Sequence, residues 1–304
     1  MTLTVLVPDD LGLRVLSAVE GVRPVRYSAG AELPPEAAHA EVLVPKFLQD
    51  TDPREFFGRL PKLRLVQLLS AGAERFIGTL PDGVALSTGR GAHGGSTAEW
   101  AIGALLAVYR DFPVFERARQ ERRWDYHLTE TLQDKEVLVV GAGDLGEQFR
   151  RRLEPFGATA TMVGRTARDG VHGVAELPEL VGRFDAVLLV VPLTEETAGL
   201  VDAALLARMK DGAILVNAAR GPVVDTDALV AELVSGRLRA ALDVTDPEPL
   251  PADHPLWTAP GLFLTPHVAG SCTGHAERAY AVVASEVERF ARGEEPRNLV
   301  RGAY

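Results

Sequence analysis

At 304 residues, 46% hydrophobic and 24% charged, the chain has the composition of an ordinary globular protein and is long for one core, so two domains are expected. The net charge of -10 argues against a nucleic-acid-binding or anionic-membrane surface, and a single cysteine, Cys272, excludes an internal disulfide framework and a cysteine-based zinc site. No stretch approaches the roughly 18 apolar residues of a membrane span, and MTLTVLVPDD lacks a basic leader, so a cytoplasmic protein without metal, membrane or nucleic-acid partners is expected.

Leu3–Val7 reads as an apolar strand, with Asp9 or Asp10 placed to cap the helix behind it. Val25–Tyr27, Val42–Val44, Leu65–Leu69 and Val84–Ser87 are further strand candidates, separated by helical or proline-marked stretches. Short apolar strands alternating with helices predict a parallel, helix-covered sheet. Within QLLSAGAERF, the residues Ser70, Ala71, Gly72 and Ala73 lie between a strand and an expected helix, with backbone N–H groups placed to bind an anion. Pro45-Lys46-Phe47 ends a neighbouring strand and is a second candidate pocket wall. His93 lies in a glycine-rich linker, where substrate contact and a solvated loop both remain open.

Ser96–Arg123 then reads as a long helix, with Ser96 and Glu99 as a capping box and Pro113 kinking it or ending its first section. It is the expected bridge between domains.

A second alternating series starts at Val137–Val140, four apolar residues followed by Gly141, Gly143 and Gly146 and then a helical pattern. In such a strand–turn–helix the first glycine permits the tight turn, the second lets backbone approach a pyrophosphate, and the third lets helix pack on strand. Gly141, Gly143, Asp144, Leu145 and Gly146 are therefore the expected cradle for a dinucleotide. Asp144 is awkward beside a pyrophosphate, so it must point away or act on the helix end. NAD-binding folds usually carry an acid about 20 residues on, for the ribose 2′-hydroxyl. After Thr159–Val163 this chain instead has Arg165, Thr166 and Arg168, which would attract a 2′-phosphate; NADP is expected, with NAD possible.

Ligands in such sheets bind outside the carboxyl ends of strands. After Ala186–Val191 come Pro192, Leu193 and Thr194, with Glu196 and Thr197 beyond; after Ala213–Asn217, Ala218 and Arg220; after Ala240–Asp243, Glu248; and after Phe263–Thr265, His267. The last helix, Ala276–Arg292, has an apolar stripe and is expected to return to the first domain, with Asn298–Val300 adding to its surface.

VVPLTEETAGLV, AILVNAARGPVVD, ALDVTDPEPLPADHPLW and LTPHVAG, following GAGDLG in this order, resemble the D-isomer-specific 2-hydroxyacid dehydrogenase family over nearly the whole chain. The resemblance, closest to its NADP-preferring, glyoxylate/hydroxypyruvate reductase-like branch, implies an α/β fold of two Rossmann-like or flavodoxin-like parallel-sheet domains with a cleft between them. The substrate domain would be discontinuous, 1–97 plus 270–304, and the dinucleotide-binding domain 98–269.

Reduction of a small 2-keto acid to its 2-hydroxy acid needs a hydride, a proton and a cation for the carboxylate and carbonyl. His267 can supply the proton, Glu248 can orient and favour the protonated ring, and Arg220 can hold substrate and polarise its carbonyl. The family's residues at these positions play these roles. Ser70, Ala71 and Gly72, with Arg220, are similar to its substrate seat; Asp243 matches the acid that approaches the nicotinamide carboxamide, and Val191, Pro192, Thr197, Ala218 and His267 complete the expected dinucleotide contacts. The family also implies a homodimer, with contact along Ser96–Arg123, Trp124 and Tyr126. Trp124 is expected to be buried in its own subunit, the alternative being reach into the partner's cleft. A competing reading is a dinucleotide-sensing binding protein, co-repressor-like, on the same scaffold.

Overall fold

The structure is a computed structural model that describes residues 2–28, 30–46 and 52–301. It divides into two compact units, Met1–His93 with Thr273–Tyr304, and Gly94–Cys272.

Among the described residues, the first unit is built on β1 (Leu3–Val7), β2 (Val22–Arg26), β3 (Val42–Leu43), β4 (Leu65–Gln67) and β5 (Ala85–Ser87). They form one parallel sheet in the order β2-β1-β3-β4-β5, the flavodoxin-like arrangement. β2 begins three residues before the expected Val25 and runs through Pro24. It lies at the sheet edge, where the missing proline N–H leaves no ladder bond unmade. Of the two candidate caps, Asp9 is the one used: its Oδ1 accepts the Gly12 N–H at 2.9 Å and starts the helix Asp10–Leu16. A Cβ at Gly12 would lie 2.7 Å from the Tyr280 hydroxyl oxygen, so glycine is what lets the helix His275–Ala291 pack this closely. The Tyr280 hydroxyl donates to the same Asp9 carboxylate at 2.9 Å, and burial with this acidic neighbour pushes the phenol upward. At the other edge, Leu299 bridges antiparallel to Ser87.

The second unit carries β6 (Glu136–Val140), β7 (Thr159–Gly164), β8 (Val171–Gly173), β9 (Ala186–Leu189), β10 (Ile214–Asn217), β11 (Arg239–Leu242) and β12 (Leu262–Leu264). All pairs are parallel, in the order β12-β11-β10-β9-β6-β7-β8, which reverses between β6 and β9 as in a doubly wound dinucleotide fold. The central strands read as unbroken apolar runs because both faces are covered. Leu138, Val140, Leu189 and Leu215 enter one core, and Val137, Val139, Leu188 and Val216 the other. β8 has three residues, too few for any periodicity to announce it.

The expected single helix Ser96–Arg123 is two helices, Gly94–Tyr109 and Phe112–Gln120. The break falls at Asp111, which adopts φ 50°, so Pro113 does not end the first helix; it sits in the opening turn of the second, where no intrahelical donor is required of it. Ser96 lies two residues inside the first helix and is therefore not its cap. Among the described residues, no helix is long and apolar enough to cross a membrane.

Candidate functional site

The turn after β6 has the geometry its glycines require. Gly141 adopts φ 126° and donates its N–H to the Val163 carbonyl at 2.8 Å. A Cβ at Gly146 would collide with the Gly141 carbonyl oxygen, so this glycine sets the helix–strand approach. A Cβ at Gly143 would meet nothing within 4 Å: the N-cap of the helix Asp144–Leu153 faces open space, with its N–H groups available to an anion. Asp144 and Leu145 open that helix. The Asp144 carboxylate lies against Gly94, where a Cβ would collide with it. It thus sits at the positive end of the helix Gly94–Tyr109, which offsets its charge and turns it from the cradle.

A cavity of about 260 Å³ opens at this turn, lined by Gly141, Gly143, Arg165, Arg168, Val191, Pro192 and Thr197 from the sequence-derived set. Arg168 donates from Nη2 to the Ala142 carbonyl at 3.0 Å, and its backbone pairs with Val171. Arg165 Nε lies 3.8 Å from Glu196 Oε2. The Thr197 hydroxyl donates to the Pro192 carbonyl at 2.7 Å and accepts the Thr194 N–H at 2.8 Å, bracing its own loop. Thr166 is exposed and, like Asp144, Leu145, Gly146, Ala218, Asp243 and His267, does not line the cavity. Ala142, Thr194 and Glu196 do; the last two belong to the loop read from sequence as a ligand-bearing strand end, with no dinucleotide contact expected of them, and Ala142, inside the glycine turn, is not singled out by the sequence.

Such a cavity, with a glycine turn, an open helix N-terminus and two guanidinium groups, fits a dinucleotide carrying phosphate at both its pyrophosphate and its ribose.

The ends of β10, β11 and β12 are level, with Asn217, Leu242 and Leu264 in register. Beyond β10, the buried Asn217 accepts the Ala219 N–H through Oδ1 and donates from Nδ2 to the Arg220 carbonyl, both at 3.0 Å. The amide folds the turn that carries Arg220. A Cβ at Gly221 would collide with the Thr245 carbonyl oxygen, so the chain leaves this turn only through glycine. Arg220 Nη1 donates to the Ala219 carbonyl at 2.7 Å.

Glu248 and His267, 19 residues apart, meet directly: His267 Nδ1 donates to Glu248 Oε1 at 2.7 Å. That bond fixes the tautomer and directs Nε2 away from the carboxylate. His267 has φ 53°, a left-handed backbone that a non-glycine residue adopts only under constraint. The constraint comes from Asp243. Its carbonyl accepts the His267 N–H at 2.7 Å; its carboxylate takes the Thr265 hydroxyl at 2.6 Å and the Val268 and Ala269 N–H groups at 2.9 Å. Asp243 is 3% exposed. The residue expected at the nicotinamide carboxamide thus has its carboxylate committed to the loop that presents His267.

In the first unit, the loop of Ser70, Ala71 and Gly72 follows β4, but residues 74–79 form turns where a helix was expected. Any anion seat there uses loop N–H groups without a helix dipole. Ser70 donates from its hydroxyl to the Gly72 carbonyl at 3.0 Å, and its own carbonyl accepts the Gly89 N–H at 2.7 Å. His93 Nε2 donates to the Leu69 carbonyl at 3.2 Å, and burial lowers the ring's pKa. His93 is a brace beneath this loop. Lys46 is exposed and donates its N–H to the Tyr27 hydroxyl at 3.2 Å, while burial pushes that phenol up to about 12; Phe47 lies outside the described residues.

Trp124 is 94% exposed, Tyr126 81% and Leu128 89%, which overturns the expectation that Trp124 is buried in its own subunit. The segment has no regular structure and few apolar neighbours to fold against.

The family model described as "D-isomer specific 2-hydroxyacid dehydrogenase, NAD binding domain" matches residues 102–269. A glyoxylate reductase from Thermofilum pendens is 32% identical over 270 residues, 83% of this chain and 79% of that protein. A D-isomer specific 2-hydroxyacid dehydrogenase from Xanthobacter autotrophicus Py2, solved with NADPH and MES, superposes with TM-score 0.84 at 32% identity, covering 99% of this chain and 98% of its own. The NADPH-dependent glyoxylate/hydroxypyruvate reductase of Sinorhizobium meliloti, solved with NADP and sulfate, gives TM-score 0.82 at 26% identity, with 99% and 98% covered.

Proposed function

Because the chain belongs to the D-isomer specific 2-hydroxyacid dehydrogenase family, we propose that it reduces a small 2-keto acid of the glyoxylate or hydroxypyruvate kind to its D-2-hydroxy acid with NADPH. The observation that carries this reading is the His267–Glu248 bond of 2.7 Å at the carboxyl edge of a dinucleotide-binding sheet. NADPH supplies the hydride. His267 Nε2 delivers the proton to the developing alkoxide, and Glu248 stabilises the ring in its charged form. Arg220 holds the substrate carboxylate and polarises the carbonyl through its planar donor fork. The second unit would hold the dinucleotide, and the loop N–H groups of Ser70–Gly72 in the first unit are a separate candidate seat for a carboxylate.

The choice of NADPH rests on Arg165 and Arg168 at the cavity wall and on the NADPH and NADP carried by the two solved relatives. Arg165→Asp removes a charge-assisted contact and adds a repulsive one. NADPH affinity is expected to fall about 10–100-fold with NADH affinity little changed, measured by fluorescence titration. Unchanged selectivity would contradict the phosphate reading.

The exposed Trp124, Tyr126 and Leu128 suit a homodimer contact between second units. Sedimentation is expected to give twice the chain mass, and Trp124→Ser a shift toward monomer.

The activity itself is tested by a panel of 2-keto acids with NADPH and with NADH. Oxidation of neither cofactor, with tight dinucleotide binding retained, would favour the dinucleotide-sensing reading instead.

A further inference from the structure

Among the described residues, three charged side chains line the dinucleotide cavity: Arg165 and Arg168 follow β7, and Glu196 faces them from the loop after β9. An acid at the end of β7 is the usual device for binding a ribose 2′-hydroxyl, and none stands there. Glu196 brings a carboxylate to the same cavity from the opposite wall. Its backbone is held in a turn: the Thr197 and Ala198 N–H groups donate to the Thr194 carbonyl at 3.1 and 2.9 Å, and the Thr197 hydroxyl anchors to the Pro192 carbonyl.

The two arginines are held differently. Arg168 is fastened to the cavity wall through the Ala142 carbonyl. Arg165 approaches Glu196 at 3.8 Å, too far for a hydrogen bond, with both side chains about two-thirds or more exposed. A pair of that kind contributes little to stability, so the fold gains almost nothing from it. What it does is set the charge seen by whatever binds between the two walls.

We propose that Glu196 determines cofactor discrimination: it stands across from Arg165 in the position of an internal counter-charge, admitting NADH and moderating the preference for NADPH. This rests on the reading that Arg165 receives the 2′-phosphate. With NADPH, the phosphate takes Arg165 and has Glu196 as a like charge a few ångströms away. With NADH, the carboxylate stays opposite Arg165 and can accept a hydrogen bond from the ribose 2′-hydroxyl. The second unit therefore serves both cofactors from one cavity, with Glu196 fixing the ratio.

The test is equilibrium binding, independent of turnover, with NADPH, NADH, 2′,5′-ADP and 5′-AMP on Glu196→Gln, Arg165→Gln and the double variant. Both positions are exposed, and each substitution keeps a chain of comparable reach, so folding is not at stake. A like charge at this distance weakens binding on the order of tenfold. Glu196→Gln is therefore expected to tighten NADPH and 2′,5′-ADP by about that factor at low salt, with the gain shrinking as ionic strength rises. NADH and 5′-AMP should bind no better. The double variant should lose most of the gain, because Arg165 is what the two anions compete for. A ratio of NADH to NADPH dissociation constants unchanged by Glu196→Gln, while Arg165→Gln weakens NADPH, would overturn the role of Glu196 alone. NADPH binding unaffected by Arg165→Gln would remove the phosphate reading beneath it.

Discussion

Replacing His267 with alanine is expected to cut turnover by about 10²–10⁴-fold, the usual loss when a positioned acid–base group is removed, while NADPH binding stays nearly intact. The two effects separate because His267 lies outside the cavity that opens at Gly141 and carries Arg165. Its ring is oriented by Glu248 and its backbone by Asp243, and neither bond reaches the glycine turn. Steady-state kinetics and NADPH titration on one preparation distinguish the outcomes. A variant that fails to bind NADPH would show that the ring serves the dinucleotide and not proton transfer. Glu248→Gln should be milder, since glutamine still accepts the Nδ1 hydrogen bond but no longer favours the charged ring.

The second large effect is expected at Asp243. Truncation to alanine leaves the Thr265 hydroxyl and the Val268 and Ala269 N–H groups without their acceptor. An unsatisfied buried donor costs about 1–3 kcal/mol, and relaxation recovers part of it, so a loss of roughly 3 kcal/mol in stability is expected from the three. Thermal melting or urea unfolding measures it directly. Turnover should fall as well, because the loop that holds His267 at φ 53° loses its anchor. Were Asp243 only a contact for the nicotinamide carboxamide, alanine would weaken the dinucleotide and leave the melting temperature nearly unchanged. Comparing the two measurements decides between an anchor and a ligand contact.

Most of this architecture could be read from residue pattern alone, and the exceptions have local causes. Val137–Val140 of β6, all of β9 and Ile214–Val216 of β10 are apolar because helices cover both faces of their sheet. The glycine turn was legible because Gly141 and Gly146 each have a separate steric demand, which the structure shows, while Gly143 faces open space. The division of Ser96–Arg123 was not, since aspartate's leaning toward left-handed backbone is too weak a signal to mark Asp111; Pro113, the visible breaker, fits comfortably in a first turn. Trp124 misled for a different reason: a large aromatic is usually buried, and here it stands 94% exposed in a segment without regular structure.

The candidate site divides in the same way. Glu248 and His267 were identified by residue type at strand ends, and their bond could be anticipated because the chemistry requires it. Asn217 and Asp243 act through backbone amides, and partnership with an amide leaves no signature in the identity of its neighbours. Glu196 was legible as part of a strand-end loop, but its place across from Arg165 was not; only the facing wall of the cavity gives it meaning.

The backbone at position 267 pulls against the side chain it bears. Left-handed geometry costs an L-residue about 1–2 kcal/mol relative to what glycine would pay there, so architecture by itself would do better with no side chain at all. A chain optimised purely for thermal endurance would drift toward glycine at this site and, on the proposed mechanism, become sturdier and inert. An imidazole retained at that penalty is what the proposed proton transfer would call for, and on that reading any effort to toughen this protein should leave that one uncomfortable residue alone.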